Sequence, residues 1–143
     1  MIAQDYMVVT TADRKRLQRM IDSLRESRSN VGDPYESHLR ALEDRLAASA
    51  LAGETDVDDD IVTMNSRLQL RDLDSGKGRA VTLVYDGDVD PFGEKLSVIT
   101  PMGMAILGSR AGNVVQWQAR RRQRRVRVER ILFQPEAAGD FGL

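Results

Sequence analysis

The hydrophobic pattern changes period once along the chain, dividing it into a helical part and a strand part. In residues 12–28, Leu17, Met20, Ile21 and Leu24 recur at i, i+3, i+4 and i+7, which makes one apolar stripe on a helix. Thr10 or Thr11 can cap that helix, and Asp13 suits the positive end of its dipole. Ser29-Asn30-Val31-Gly32 interrupts the period, as a turn does. Asp33-Pro34-Tyr35-Glu36 then opens a second helix over 34–50, with an acidic N-cap, proline at the first helical position and glutamate at the third. Tyr35, Leu39, Leu42 and Leu46 alternate spacings of four and three, a heptad-like seam. Two such stripes joined by a short connection predict an antiparallel helical hairpin with arms about 25 Å long.

Residues 50–60 read as a linker, because Gly53 can close the helix and Asp56, Asp58, Asp59 and Asp60 disfavour a packed strand. From residue 61 the period becomes two. Residues 61–64 and 67–73 read as strand, with Leu68 and Leu70 on one face. Further strands follow at 79–85, 96–99, 114–117 and 125–133, the last two joined by an arginine-rich turn. Pro101 starts a short helix carrying Met102, Met104, Ala105, Ile106 and Leu107, which Gly108 closes. Residues 86–95 form an acidic loop and 134–143 a tail of little periodicity. The expected fold class is α+β: a helical hairpin (coiled coil) over 1–55, then a small domain of about five strands and one short helix over 56–143.

Composition narrows the chemistry. The 143 residues suffice for one modest core, and with 41% hydrophobic but 5% aromatic residues that core must be aliphatic. No stretch approaches the roughly 18 apolar residues of a membrane span, so no membrane partner is expected. The start, Met-Ile-Ala-Gln-Asp-Tyr, has no signal-peptide character, and a cytoplasmic protein is expected. The absence of cysteine excludes disulfides and thiolate chemistry and removes the usual ligands of structural zinc. His38, the only histidine, sits beside a helix start with no catalytic pattern around it. The net charge of −1 hides an asymmetry: residues 1–60 carry 8 Lys/Arg against 13 Asp/Glu, and residues 61–143 carry 13 against 9. The two parts present opposite fields to a partner.

Three separated blocks then resemble one family in the same order: Asp60-Ile61-Val62-Thr63-Met64-Asn65-Ser66, Leu96-Ser97-Val98-Ile99-Thr100-Pro101-Met102-Gly103, and Gln134-Pro135-Glu136-Ala137-Ala138-Gly139-Asp140. Together they are similar to the Gre superfamily of transcript-cleavage factors across nearly all of residues 60–143. The first 59 residues match only in architecture. The resemblance implies an FK506-binding-protein-like domain that docks at the rim of the secondary channel of bacterial RNA polymerase, with the hairpin pointing into that channel. It also implies a docking role for Thr100, Pro101 and Met102. In cleavage factors, two acids at the hairpin tip help hold a second magnesium ion for hydrolysis of backtracked RNA.

Asp33 and Glu36 have the spacing for such a pair. A capping box, in which Asp33 accepts first-turn N–H groups and Glu36 reaches back, explains the same residues without a metal. From Gly32 to residue 55 the returning arm has 24 residues, shorter than that of the cleavage factors. The expectation is a polymerase-binding regulator that competes with cleavage factors without cleaving, with no cofactor, metal or catalytic residue of its own. The alternative is a cleavage factor in which Asp33 and Glu36 stimulate the polymerase.

Arg120, Arg121, Arg122, Arg124, Arg125, Arg127 and Arg130 place seven arginines in eleven residues. Guanidinium groups pair with phosphates, so direct nucleic-acid binding through residues 120–125 is one reading. Without interleaved aromatics for base stacking, a solvated hairpin with Val126, Val128 and Ile131 or Leu132 turned inward, or a surface for an acidic protein partner, is favoured over it. Asp58-Asp59-Asp60 reads as solvated linker charge ahead of a divalent-ion site. Trp117 reads as core or sheet-edge packing, and the seven aromatics are too dispersed for a prolyl-isomerase pocket. Oligomeric state has no sequence signal beyond the heptad faces.

Overall fold

The computed structural model describes residues 7–28, 33–88 and 94–142. The expected connection at 29–32 and half of the acidic loop, residues 89–93, lie outside them. The helices form as the stripes require. Helix α1 spans Thr11–Ser27 and α2 spans Pro34–Ala48. Thr10 is the N-cap of α1, its side chain accepting from the Asp13 N–H at 3.0 Å. Leu17 and Ile21 of α1 and Leu39, Leu42 and Leu46 of α2 are fully buried, with Met20, Leu24 and Tyr35 packed beside them.

The hairpin does not stand alone. Its buried leucines belong to one continuous core with Val62, Met64, Val98, Met104, Ile106 and Leu107 of the globular half. Two three-residue strands close its base, β1 at Val8–Thr10 and β2 at Ala50–Ala52, paired parallel with Val8 opposite Ala50. The linker reading of residues 50–60 is therefore corrected at its start. Ala-Leu-Ala has little strand propensity, but the hairpin returns it beside the chain entering α1, and the Ala50 N–H bonds Met7 O at 2.9 Å. Glu54 reaches back over the same base and accepts from the Ala12 N–H at 3.0 Å, adding a second acceptor at the start of α1.

The main sheet has five strands in the order β5-β4-β3-β7-β6: β3 Arg67–Asp72, β4 Gly78–Val84, β5 Lys95–Ser97, β6 Val114–Gln118 and β7 Gln123–Phe133. All neighbours are antiparallel except β4 and β5. Leu68 and Leu70 of β3 face Ile131 and Val128 of β7 on the inner side, and the register shifts twice along that pair. Helix α3, Pro101–Ile106, packs beside β6. The expected α+β class and the elements from residue 67 onward agree with this architecture.

Residues 61–64 are not a strand. Ile61, Val62, Thr63 and Met64 are all buried, but only Ile61 makes a bridge, to Arg110. The Val62 N–H bonds Ser109 O at 2.9 Å, and the Gly108 N–H bonds Val62 O at 2.8 Å. An apolar run buried on both sides looks like a strand in sequence. Here it is an irregular segment lodged between hairpin, sheet and tail. Its polar groups are satisfied from afar: Gln134 donates to the carbonyls of Asp58 and Ile61 at 2.8 Å each, and Thr63 donates to Glu136 at 2.6 Å. Gly108, at φ +78°, brings its backbone so close to Met7 and Val8 that a Cβ there would lie 2.2 Å from Met7 Cγ.

Asp13 joins this segment to the hairpin. Only 1% exposed, it accepts the Met64 N–H at 3.0 Å through Oδ2. Its Oδ1 and the Tyr85 hydroxyl are buried without hydrogen-bond partners, and Arg16 Nη1 lies 3.5 Å from Oδ1. Burial, reinforced by Glu136 and opposed by the Met64 bond, Arg16 and Thr10, raises the Asp13 pKa from 3.8 to about 6. Between those values the folded protein binds a proton that the unfolded chain releases. This contribution to stability is therefore full below pH 4 and lost as pH rises through about 6. The change amounts to about 3 kcal/mol from the difference in pKa. Urea unfolding at fixed ionic strength should show the wild type losing stability relative to Asp13→Asn by about that amount between pH 4 and 7. A stability difference that stays flat across the window would contradict the assignment.

Candidate functional site: the hairpin end and the turn before α3

Asp33 and Glu36 sit at the end of the hairpin away from its base, about 25 Å along α1 from Thr10. Asp33 caps α2, Oδ1 accepting from the Tyr35 N–H at 2.9 Å, while Arg28 lies 3.5 Å from Oδ2. The same Arg28 guanidinium stacks 4.0 Å above the Tyr35 ring. His38 lies against Tyr35, ring centroids 6.4 Å apart. Burial first, and Asp86 next, push the Tyr35 hydroxyl up to about 12.

The cap half of the expected box is present, but its return half is not. Glu36 turns across the hairpin to Arg25, its two oxygens 3.0 and 3.1 Å from Nε. Arg25 also grips Glu43 at 2.8 and 3.0 Å, and Gln18 bonds Glu43 at 3.0 Å. A bidentate guanidinium between two carboxylates outcompetes a single neutral backbone N–H for Glu36. The two acids raise the Arg25 pKa, and Arg25, followed by Gln18, lowers that of Glu43. Periodicity gives no hint of this clasp, because its partners lie on different helices. A charged residue at 25, one turn from the end of α1 and facing acids at 36 and 43 in an antiparallel pairing, was the available signal.

Thr100, Pro101 and Met102 occupy the turn from β5 into α3. Thr100 is the N-cap of α3, accepting from the Gly103 N–H at 3.0 Å and donating to Ser97 O at 2.8 Å. Pro101 is exposed at the first helical position, and Met102 is half-buried with Arg79 Nη2 3.7 Å from its sulfur. Met102 borders a cavity of about 340 Å³ floored by Leu70 and Val126 and rimmed by Lys77, Arg79 and Arg124. Met104 and Ile106 are buried, as the sequence leads one to expect. A Cβ on Gly103 would lie 2.1 Å from Ser97 O, so only glycine permits this close turn. The turn and the hairpin acids lie in separate parts of the molecule.

The arginine-rich turn behaves as a solvated hairpin: Val126 and Val128 are buried, Ile131 packs on the core, Leu132 is exposed, and Arg120, Arg121 and Arg122 are exposed. Arg124 bonds Asp72 at 2.6 Å, and Arg125 lies 3.6 Å from Asp74. Trp117 is partly buried against the core. Asp58 and Asp60 hold Arg110 at 3.1 and 2.8 Å. Among the described residues no group of three or more His, Asp or Glu side chains is placed to hold a metal ion. No helix among them is long and apolar enough to cross a membrane.

A capped helical hairpin sharing its core with a curled five-stranded sheet is also the architecture of a solved GreA/GreB elongation factor, and the sequence matches place the chain among regulators of the elongation-factor type. Residues 57–133 match the family described as transcription elongation factor, GreA/GreB, C-terminal, and the chain belongs to that family. At 34% identity over 94% of this chain and 95% of the relative, it is similar to the regulator of nucleoside diphosphate kinase of Escherichia coli strain K12. Its match to transcription elongation factor GreA of Alkaliphilus oremlandii, strain OhILAs, is 34% over 83 residues and spans 52% of that protein. A solved GreA/GreB elongation factor from Nitrosomonas europaea superposes with a TM-score of 0.68 at 27% identity, covering 91% of this chain and all of the other.

Two substitutions check the local geometry. Arg25→Ala should lower stability by about 1 kcal/mol, the scale of a partly exposed bidentate network, with the loss shrinking in high salt. Chemical denaturation at two salt concentrations reads both effects. Gly103→Ala should cost about 2–3 kcal/mol, because a backbone carbonyl must move to admit the methyl. A thermal melt within error of wild type would contradict the close approach.

Proposed function

We propose that this protein binds bacterial RNA polymerase at the secondary-channel rim through Thr100, Pro101 and Met102, and there competes with Gre cleavage factors without stimulating cleavage. Family membership and the rigidly capped turn, with Pro101 exposed and Thr100 and Met102 partly so, support the docking half. The observation that carries the other half is the engagement of both hairpin acids inside the molecule: Asp33 with the α2 N-terminus, Glu36 with Arg25. Metal-assisted hydrolysis needs carboxylates free to bind an ion about 4 Å from a second one. An acid already clasped by arginine is a poor ligand until that clasp opens. The α2 arm, 15 residues, extends about 22 Å, which limits how deep its end can reach.

One observation favours the second reading, a cleavage factor acting through Asp33 and Glu36. The Glu36 side chain is 36% exposed, so it can exchange Arg25 for another cation without unfolding α2. The two readings separate in a backtracked elongation complex carrying labelled RNA. The purified protein should yield no shortened transcript and should suppress cleavage by an added Gre factor. Met102→Asp should abolish that suppression. Shortened RNA that disappears with Asp33→Asn would reverse the ranking, and failure to bind polymerase would sink both readings.

A further inference from the structure

A groove of about 630 Å³ runs between the last turn of α2, the segment after α3 and the β6–β7 edge of the sheet. It lies away from Asp33, Glu36 and the Thr100 turn and plays no part in the reading above. Arg45, Arg110, Arg125 and Arg127 line it, and no acidic residue does. Asp58 and Asp60 hold Arg110, and Asp74 lies 3.6 Å from Arg125. Among the described residues, Arg45 and Arg127 have no hydrogen bond or ion pair from their side chains. Arg45 is accessible at the wall, yet the protein crowding it lowers its pKa with no carboxylate offsetting the shift.

The sheet sharpens the imbalance. Arg127 lies directly opposite Arg71 across β3 and β7, and Arg125 follows on the same side two residues away. Like charges opposed across strands destabilise a sheet. Glu129, two residues along β7 from Arg127, is already bonded to Arg71 at 3.1 and 3.3 Å. An anion in the groove would supply Arg127 and Arg45 with the counter-charge that Glu129 gives Arg71 and Asp74 gives Arg125. Guanidinium groups select oxyanions they can meet with paired N–H bonds, phosphate foremost. The volume falls in the range of small-molecule sites. Val114, Leu107 and Ala105 add an apolar wall, but no aromatic side chain is present to stack the bases of a single strand.

We infer that this groove binds a small phosphate-chain anion, up to the size of a nucleoside triphosphate, on Arg45, Arg125 and Arg127. Inorganic tripolyphosphate and a nucleoside triphosphate share that chemistry, so both are probes, with a ten-nucleotide RNA as the macromolecular comparison. Isothermal titration calorimetry of the full chain at low salt should show saturable one-to-one binding of both small probes. Arg45→Ala and Arg127→Ala should each weaken it at least fivefold, and the double variant more than tenfold. Arg121→Ala, in the exposed turn outside the groove, should leave the affinity unchanged. Both groove residues are solvent-facing, so an unchanged thermal midpoint separates lost binding from lost fold. Equal affinity for the two probes assigns recognition to the phosphate chain alone. Tighter nucleotide binding brings in the apolar wall, and either result supports the site. No saturable heat from either small probe, an equal loss in Arg121→Ala, or preferential binding of the RNA would overturn it.

Discussion

Among the described residues Asp13 is the one buried carboxylate, and it bonds hairpin to globular half at the point where the shared core fixes their placement. Asp13 lies in the first turn of α1, where the helix dipole favours an anion, yet its acceptor bond goes to Met64 in the globular half. The site is dry enough to raise its pKa, and one of its oxygens has no hydrogen-bond partner. A group held so unfavourably persists only where the surrounding packing determines its position. That packing is the continuous aliphatic core running from Leu39 and Leu42 through Met64 to Ile106.

From that joint outward, the structure is organised by what each buried backbone group can reach. Residues 58–64 leave regular structure, and Gln134 and Glu136 return from the far end of the chain to satisfy them. Two of the three sequence blocks that mark the Gre resemblance, 60–66 and 134–140, are thus physical partners. The third, 96–103, makes the tight turn whose close approach admits only glycine at 103. The resemblance therefore follows the irregular parts of the fold, where specific side chains substitute for ladder hydrogen bonds.

The hairpin follows a different logic. Its apolar seam holds the helices together, while its polar side is a hydrogen-bonded chain from Gln18 through Glu43 and Arg25 to Glu36. The last of these bonds engages Glu36, and the α2 cap engages Asp33, the two acids that a tip metal site would need.

Much of this was legible in advance. Helix positions, the start of α3 at Pro101, caps at Thr10 and Asp33, the strands from residue 67 onward and the inward-facing Val126 and Val128 follow from spacing and turn chemistry, which are local. The three marker blocks also pointed to the Gre family. What failed was non-local. The run at 61–64 mimics a strand because burial alone does not specify a partner. The strand at 50–52 has no intrinsic signal and exists because the hairpin returns it beside Val8. Glu36 chose Arg25 over its own cap because the antiparallel packing brought a stronger donor within reach. The sequence by itself determined the helices, the strands from residue 67 onward and which faces are apolar, since periodicity and capping act within a few residues. Tertiary structure decided which charges meet, where Asp13 is buried and which arginines remain unanswered, since each depends on groups tens of residues apart that only the packed core brings together.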